Sequence, residues 1–174
     1  MIRTERLVLR RAEERDFADL HAIMRDPQVM RYWSTPPHPD MATTRPWMDR
    51  LLALDPAGSV EFVVEYESRV IGKVGGGVLP EVGYILHRDY WGRGIAYEAM
   101  TAVIAFAFAN HPVDHLMADI DPRNLASARL LERLGFRKAG HAENTFCVDG
   151  EWSDSDYYRL ERGGAVGITH LVPQ

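Results

Sequence analysis

The sequence predicts an α+β domain of three layers, a mixed and mostly antiparallel sheet with helices on both faces. Three observations lead there. Hairpin-spaced strand signals come early, between Glu61 and Gly75. A strand–helix–strand unit follows, from Val82–Leu86 through a long apolar helical period to Leu116–Ile120; a helical crossover makes its two strands parallel neighbours. A further hairpin signal, Asp149-Gly150, lies near the end. At 174 residues, 46% hydrophobic and 26% charged, the chain suits one soluble globular domain with a sizeable core.

Taken in order, Leu7-Val8-Leu9-Arg10 is a short strand. Glu13-Glu14-Arg15-Asp16 opens a helix with Phe17, Leu20, Ile23 and Met24 at helical spacing, and Asp26-Pro27 stops it. Three prolines within Pro36–Pro39 make a stiff loop. A second helix runs from about Thr43 to Leu54. Glu61–Tyr66 and Arg69–Gly75 are strands joined at Glu67-Ser68, a tight hairpin length without the Gly or Asn that a primed turn prefers. Gly75-Gly76-Gly77 reads as a strand end with a bulge, since no helix pattern follows. Val82–Leu86 and the helix to Asn110 come next, and His111-Pro112 ends that helix. After the strand Leu116–Ile120, Asn124 is a good N-cap for a helix over Leu125–Leu134, with Gly135 as its C-terminal glycine. Phe136–Glu143 and Ser155–Glu161 are the closing strands. Residues 1–162 form the domain. The remainder, 163–174, has no helical period and is expected to be partly disordered.

Composition narrows the function. A net charge of −5 argues against wholesale nucleic-acid binding. The single cysteine, Cys147, excludes an internal disulfide and suits a reducing cytoplasm. The N-terminus lacks the apolar core of a signal peptide, and no apolar run reaches membrane-spanning length. Seven histidines show no metal-ligand spacing, so no metal is expected.

The chemistry is concentrated in Trp91-Gly92-Arg93-Gly94-Ile95-Ala96-Tyr97, where a strand hands over to a helix N-terminus. The first backbone N–H groups of a helix lack partners and its dipole is positive there, which makes an anion site. Glycines at 92 and 94 and the small Ala96 allow close approach of a phosphate, and Arg93 adds positive charge. A structural glycine turn is the plainer alternative. A Walker A loop does not match. A dinucleotide fingerprint fails because Tyr97 stands where its third glycine belongs.

This stretch, with Glu98-Ala99, closely resembles the acetyl-CoA loop of the GNAT acetyltransferases, in the form typical of the RimJ/RimL-type branch. Thr4–Arg10, Asp121–Ser127 with Leu134-Gly135-Phe136, and Asp149–Asp154 resemble that branch's first strand, penultimate helix and last hairpin. The resemblance covers about Thr4 to Leu160. It implies a GNAT-like fold with a splay between two parallel central strands. Acetyl-CoA would lie in that splay, along the backbone of Tyr84, Ile85 and Leu86, with its pyrophosphate on the 92–97 amides and its thioester toward Asn124 and Ser127. It further implies direct acetyl transfer to a primary amine, of a protein or peptide N-terminus or a small amino-acid-like molecule. Cys147 is not needed as a nucleophile. A homodimer is compatible with the resemblance; membrane or nucleic-acid partners are not expected.

The resemblance also assigns roles. Many family members carry a tyrosine where this chain has Leu131, so Ser127 is the expected proton donor to the departing thiolate. A hydroxyl bonding back to its own helix turn is the plain alternative for Ser127. Glu81 is the candidate base, with Glu143, His141 and Asp154 as nearby alternatives and a surface carboxylate as its plain reading. In the ribosomal-protein branch a carboxylate can precede the last hairpin, where this chain has Phe146. Tyr32, Trp33, Trp47, Phe146 and Trp152 are expected to line an acceptor cleft that is aromatic rather than acidic, unless the first three merely pack against the sheet. The competing readings are a CoA-binding sensor or structural module without turnover, and a nucleotide-binding regulator.

Overall fold

The computed structural model describes residues 1–164; of the tail expected to be partly disordered, residues 165–174 lie outside the described part. In chain order the elements are β1 (Ile2–Arg3), β2 (Val8–Arg10), α1 (Phe17–Met24), α2 (Pro27–Met30), α3 (Met41–Leu52), β3 (Phe62–Tyr66), β4 (Arg69–Gly75) and β5 (Gly83–Leu86). Then come α4 (Ile95–Asn110), β6 (His115–Ile120), α5 (Leu125–Arg133), β7 (Arg137–Val148) and β8 (Glu151–Glu161). β1 to β5 form one antiparallel sheet in sequence order, and β6, β8 and β7 form a second.

The two sheets meet at a single parallel bridge, Glu81 with Met117. There the Val82 N–H donates to the Met117 carbonyl and the Met117 N–H to the Pro80 carbonyl, both at 2.8 Å. Beyond it β5 and β6 are no longer paired with each other. The parallel neighbours expected from the crossover are present, and the splay between them is real.

Alternation along the strands feeds two cores. Phe62, Val64, Val74 and Leu86 pack with α4, including Ile95, Met100 and Val103. Val63, Val70 and Ile85 pack with α1 and α3 through Leu20, Ile23 and Met48. Val64 pairs with Gly72 and Glu65 with Val70, so Ile71 is an extra residue that flips the faces of β4. Helices on both faces give the three layers.

Several boundaries differ from expectation, each for a local reason. Pro27 begins α2, because its missing N–H costs nothing at a first helical position, and Asp26 Oδ1 caps the turn by accepting from Gln28 N–H at 2.9 Å. α3 starts at Met41 because Asp40 caps it, accepting from the Thr43 N–H at 2.8 Å. Glu67 and Ser68 adopt φ of +48° and +64°, a primed turn built without Gly or Asn. The Asp149-Gly150 hairpin forms where expected, but β7 and β8 run to 12 and 11 residues, longer than their apolar alternation signals.

Candidate active site

Gly92 and Gly94 both sit in the left-handed region, at φ +72° and +75°. A Cβ at Gly92 would meet nothing within 4 Å, so backbone conformation, not crowding by protein, demands glycine there. Gly94 is the N-cap of α4 and offers no capping side chain. Among the described residues, no amide of 92–97 donates to a protein acceptor; the first in α4 to do so is Glu98, to the Gly94 carbonyl. Those N–H groups form an anion cradle at the positive end of a helix of 16 residues. The Trp91 indole N–H donates to the Leu86 carbonyl at 2.9 Å and ties this loop to β5. Arg93 does not turn into the cradle: its guanidinium lies 5.3 Å from the Tyr90 ring centre.

The β4–β5 register decides which backbone of β5 faces the splay. Ile85 is paired across from Lys73, and the His87 N–H donates to the Ile71 carbonyl, so the inward ladder positions are His87, Ile85 and Gly83. Tyr84 and Leu86 therefore direct their N–H and C=O groups outward, as the Val82–Met117 bond confirms for the same alternation. Of the three strand residues expected to run along CoA, Tyr84 has both backbone groups to offer and Leu86 its N–H, its carbonyl being taken by the Trp91 indole. The backbone of Ile85 is committed to β4, although the residue still lines the cavity alongside.

Two cavities open from the splay. One, of about 640 Å³, runs along Leu86, Trp91, Gly92, Gly94, Ile95, Ala96 and Tyr97, with Arg31 and Arg133 on its walls. The other, of about 460 Å³, contains Trp33, Glu61, Glu81, Asp119, Phe146 and Asp154. Tyr32, Trp33, Tyr84, Asn124 and Ser127 line both. The two spaces thus meet at the residues where the sequence places the reaction. Asn124 caps α5 by accepting from the Ser127 N–H at 3.2 Å. The Tyr84 hydroxyl is buried without a hydrogen bond that meets normal geometry. Burial pushes its pKa up to about 12, against a smaller pull from the neighbouring Ser127 hydroxyl. Leu131, fully buried, closes the second cavity below Ser127.

The second cavity corrects the expectation of an aromatic rather than acidic cleft. Tyr32, Trp33 and Phe146 line it, but so do Glu61, Glu81, Asp119, Asp121 and Asp154. Lys73 is the lone lysine or arginine on its wall and is paired with Glu61. Asp121 is held by Arg123, Nη2 to Oδ2 at 2.6 Å, and Arg123 extends to Glu151 and Ser153. Trp47 is not in the cleft: on α3 it packs against the core below α1. Trp152 is exposed on β8, cross-strand from Cys147. Of the alternative bases, Asp154 lines the cavity, whereas His141 and Glu143 do not; His141 is bound to Asp156 at 2.7 Å.

Asp119 is the residue that sequence reasoning missed. It points to the face of β6 opposite the buried Ala118, and its Oδ1 is buried with no partner. Burial raises its pKa, and a hydrogen bond from Ser155 opposes the shift. Glu81, by contrast, is exposed on the rim. Arg133, stacked 4.8 Å from the Tyr97 ring centre, was missed too. No short-range pattern marks either residue. Among the described residues, no cluster of His, Cys, Asp and Glu is arranged to hold a metal ion, and no helix is long and apolar enough to cross a membrane.

A splayed strand pair beside an open phosphate cradle is the design of an acyltransferase that takes its acyl group from a CoA thioester. The chain belongs to the GNAT acetyltransferases: residues 6–137 match the model of the acetyltransferase (GNAT) domain. It is 32% identical over 146 residues to the N-acetyltransferase p20 of Bacillus licheniformis, covering 79% of this chain and 82% of that protein. It is 37% identical over 73 residues to the [ribosomal protein uS5]-alanine N-acetyltransferase of Escherichia coli, a match over 42% of this chain and 38% of that one. The fold is shared with spermidine N-acetyltransferase from Vibrio cholerae, solved with CoA and spermine, at a TM-score of 0.79 and 21% identity over 92% of this chain and 97% of the other. The chain is an acetyl-CoA-dependent N-acetyltransferase, and the resemblance to the RimJ/RimL-type branch is borne out by these relatives.

Proposed function

We propose that the chain transfers acetyl directly from acetyl-CoA to a primary amine at the junction of its two cavities. The observation that carries this reading is the meeting of a phosphate cradle's cavity with an acid-lined one at Tyr84, Asn124 and Ser127. Bound acetyl-CoA supplies the activated acyl group. The 92–97 amides hold its pyrophosphate, and the outward backbone of Tyr84 and Leu86 aligns its arm.

Asp119 receives the proton of the incoming ammonium, directly or through water. A partly desolvated carboxylate with an unpartnered oxygen suits that task better than the exposed Glu81, which instead draws the cation into the cleft. The outward N–H of Tyr84 is placed to stabilise the oxyanion. The Ser127 hydroxyl protonates the departing thiolate and regains a proton from the nitrogen of the tetrahedral intermediate, so no alkoxide is left, with the Tyr84 hydroxyl beside it. Cys147 is exposed on β7, away from both cavities, so no acyl-enzyme is involved.

The acceptor follows from charge. Glu61 and Asp121 are paired with cations, which leaves Glu81, Asp119 and Asp154 to set a negative potential in the cleft. That favours an amine carrying a further positive charge, either a peptide N-terminus near a basic side chain or a small diamine. Dependence on acetyl-CoA fits the cytoplasmic location expected from the sequence.

Thiol release from acetyl-CoA with a panel of peptides and small amines tests this function. Release with at least one amine, faster for dications than for matched monocations, supports it. Tight acetyl-CoA binding without release by any amine of the panel would favour the sensor reading.

A further inference from the structure

The cradle is held from behind by the N-terminal segment. Leu7, almost fully buried, anchors a turn in which the Thr4 N–H donates to the Leu7 carbonyl at 3.0 Å and the Leu7 N–H to Thr4 Oγ1 at 3.0 Å. This turn presents Thr4 and Arg6 to the first turn of α4. Thr4 Oγ1 donates to Glu98 Oε1 at 2.5 Å, the Arg6 N–H to the same oxygen at 2.9 Å, and Arg6 Nε to Glu98 Oε2 at 2.7 Å. Arg6 Nη1 then reaches the loop itself and donates to the Arg93 carbonyl at 3.0 Å. A Cβ on Gly94 would stand 3.6 Å from Arg6 Nη2, so the guanidinium lies directly behind the left-handed glycine.

Glu98 poses a problem that this arrangement solves. A carboxylate in the first turn of a helix is stabilised by the helix dipole, and its charge competes with any anion bound there. Burial pushes the Glu98 carboxyl up, but the hydrogen bonds from Thr4 and Arg6 and the Arg6 charge outweigh it and keep the group ionised. The charge is therefore present at working pH and must be turned away and balanced. Arg6 does both, and its remaining arm fixes the carbonyl of the residue between the two glycines. With that carbonyl held rearward, the neighbouring amides are left facing the cradle.

We propose that Arg6 is a positioning residue for the CoA pyrophosphate, acting through Glu98 and the Arg93 carbonyl rather than by touching the ligand. The proposal rests on the reading that the 92–97 amides bind that pyrophosphate.

The test is a double-variant cycle read by calorimetric CoA binding, with turnover at saturating acetyl-CoA and thermal stability as companions. Arg6→Ala raises the Kd for CoA and the KM for acetyl-CoA about tenfold, while kcat at saturation stays within about twofold. Arg6→Gln keeps a hydrogen-bonding side chain for Glu98 and gives the same loss if the alanine variant does not fold. Adding Glu98→Gln to either variant restores most of the affinity, because the uncompensated negative charge is gone. A purely structural clasp predicts the reverse, a double variant weaker than the single one. Wild-type affinity in a folded Arg6 variant, or no recovery in the double variant, overturns the proposal alone. A wild-type protein that fails to bind CoA removes the underlying reading and the proposal with it.

Discussion

The hydroxyls of Tyr84 on β5 and Ser127 on α5 are neighbours at the point where the two cavities meet. The phenol is buried and its pKa is pushed up to about 12, so it stays protonated throughout the working range. Ser127→Ala is expected to lower kcat by roughly 100-fold, at the low end of the usual range for a lost proton donor, with little change in CoA affinity. Tyr84→Phe should add little to that loss if Ser127 is the donor. Initial rates and CoA binding on the two single variants and the double variant check this.

Asp119 is predicted to set the acidic limb of the rate profile. A base must be ionised, so kcat/KM for the amine rises with pH as Asp119 loses its proton. Because burial raises its pKa, that limb is shifted upward from where an ordinary aspartate would set it. Asp119→Asn should remove the limb and reduce kcat/KM by about 100-fold, whereas Glu81→Gln should mainly raise the amine KM. An unchanged profile in Asp119→Asn would return the base to Glu81 or Asp154.

The aromatic residues separate into two kinds. Trp33→Ala should raise the acceptor KM several-fold in the folded protein, since Trp33 lines both cavities, with some loss of stability because it also packs against the core. Trp47→Ala should instead destabilise the protein by about 1–2 kcal/mol with kinetics preserved in the folded fraction, since Trp47 packs half-buried against the core and touches neither cavity. Trp152→Ala should change neither. Thermal melts beside steady-state kinetics distinguish the three.

His21 and His38, both nearly buried, share the Thr44 hydroxyl at 2.7 and 3.0 Å. Burial, with the nearby His21, lowers the pKa of His38. A histidine with a lowered folded pKa takes up its proton more readily when unfolded. Stability is therefore unaffected above about pH 6.5, the ordinary histidine value, and falls as pH drops below it. His38→Gln should flatten that part of the curve of melting temperature against pH.

The loop was legible in the sequence because its determinants are local. Two glycines with positive φ, a strand stop and a helical apolar period all lie within one short stretch. Asn124 and Ser127 were legible for the same reason, as a cap and a position in the first turn of a helix. Asp119 was not. Its importance depends on where β6 parts from β5 and on its register opposite Tyr157 of β8, a pairing across nearly forty residues. The acid lining of the cleft was hidden likewise, because Glu61, Glu81, Asp119 and Asp154 come from separate segments. Trp33 and Trp47 could not be told apart from sequence: both pack half-buried against the same core, and only Trp33 also reaches the two cavities.

The central claim is that the 92–97 amides hold acetyl-CoA by its pyrophosphate. Calorimetric CoA binding to Gly94→Glu, with folding checked by circular dichroism, tests it most directly. The substitution places a side chain on a residue at φ +75° and sets its carboxylate beside Arg6, straining the loop backbone and competing with the Arg6 bonds that hold it. Loss of one or two charge-assisted hydrogen bonds predicts an affinity lower by roughly 100-fold or more. A folded Gly94→Glu protein that binds CoA as tightly as the wild type would contradict the account.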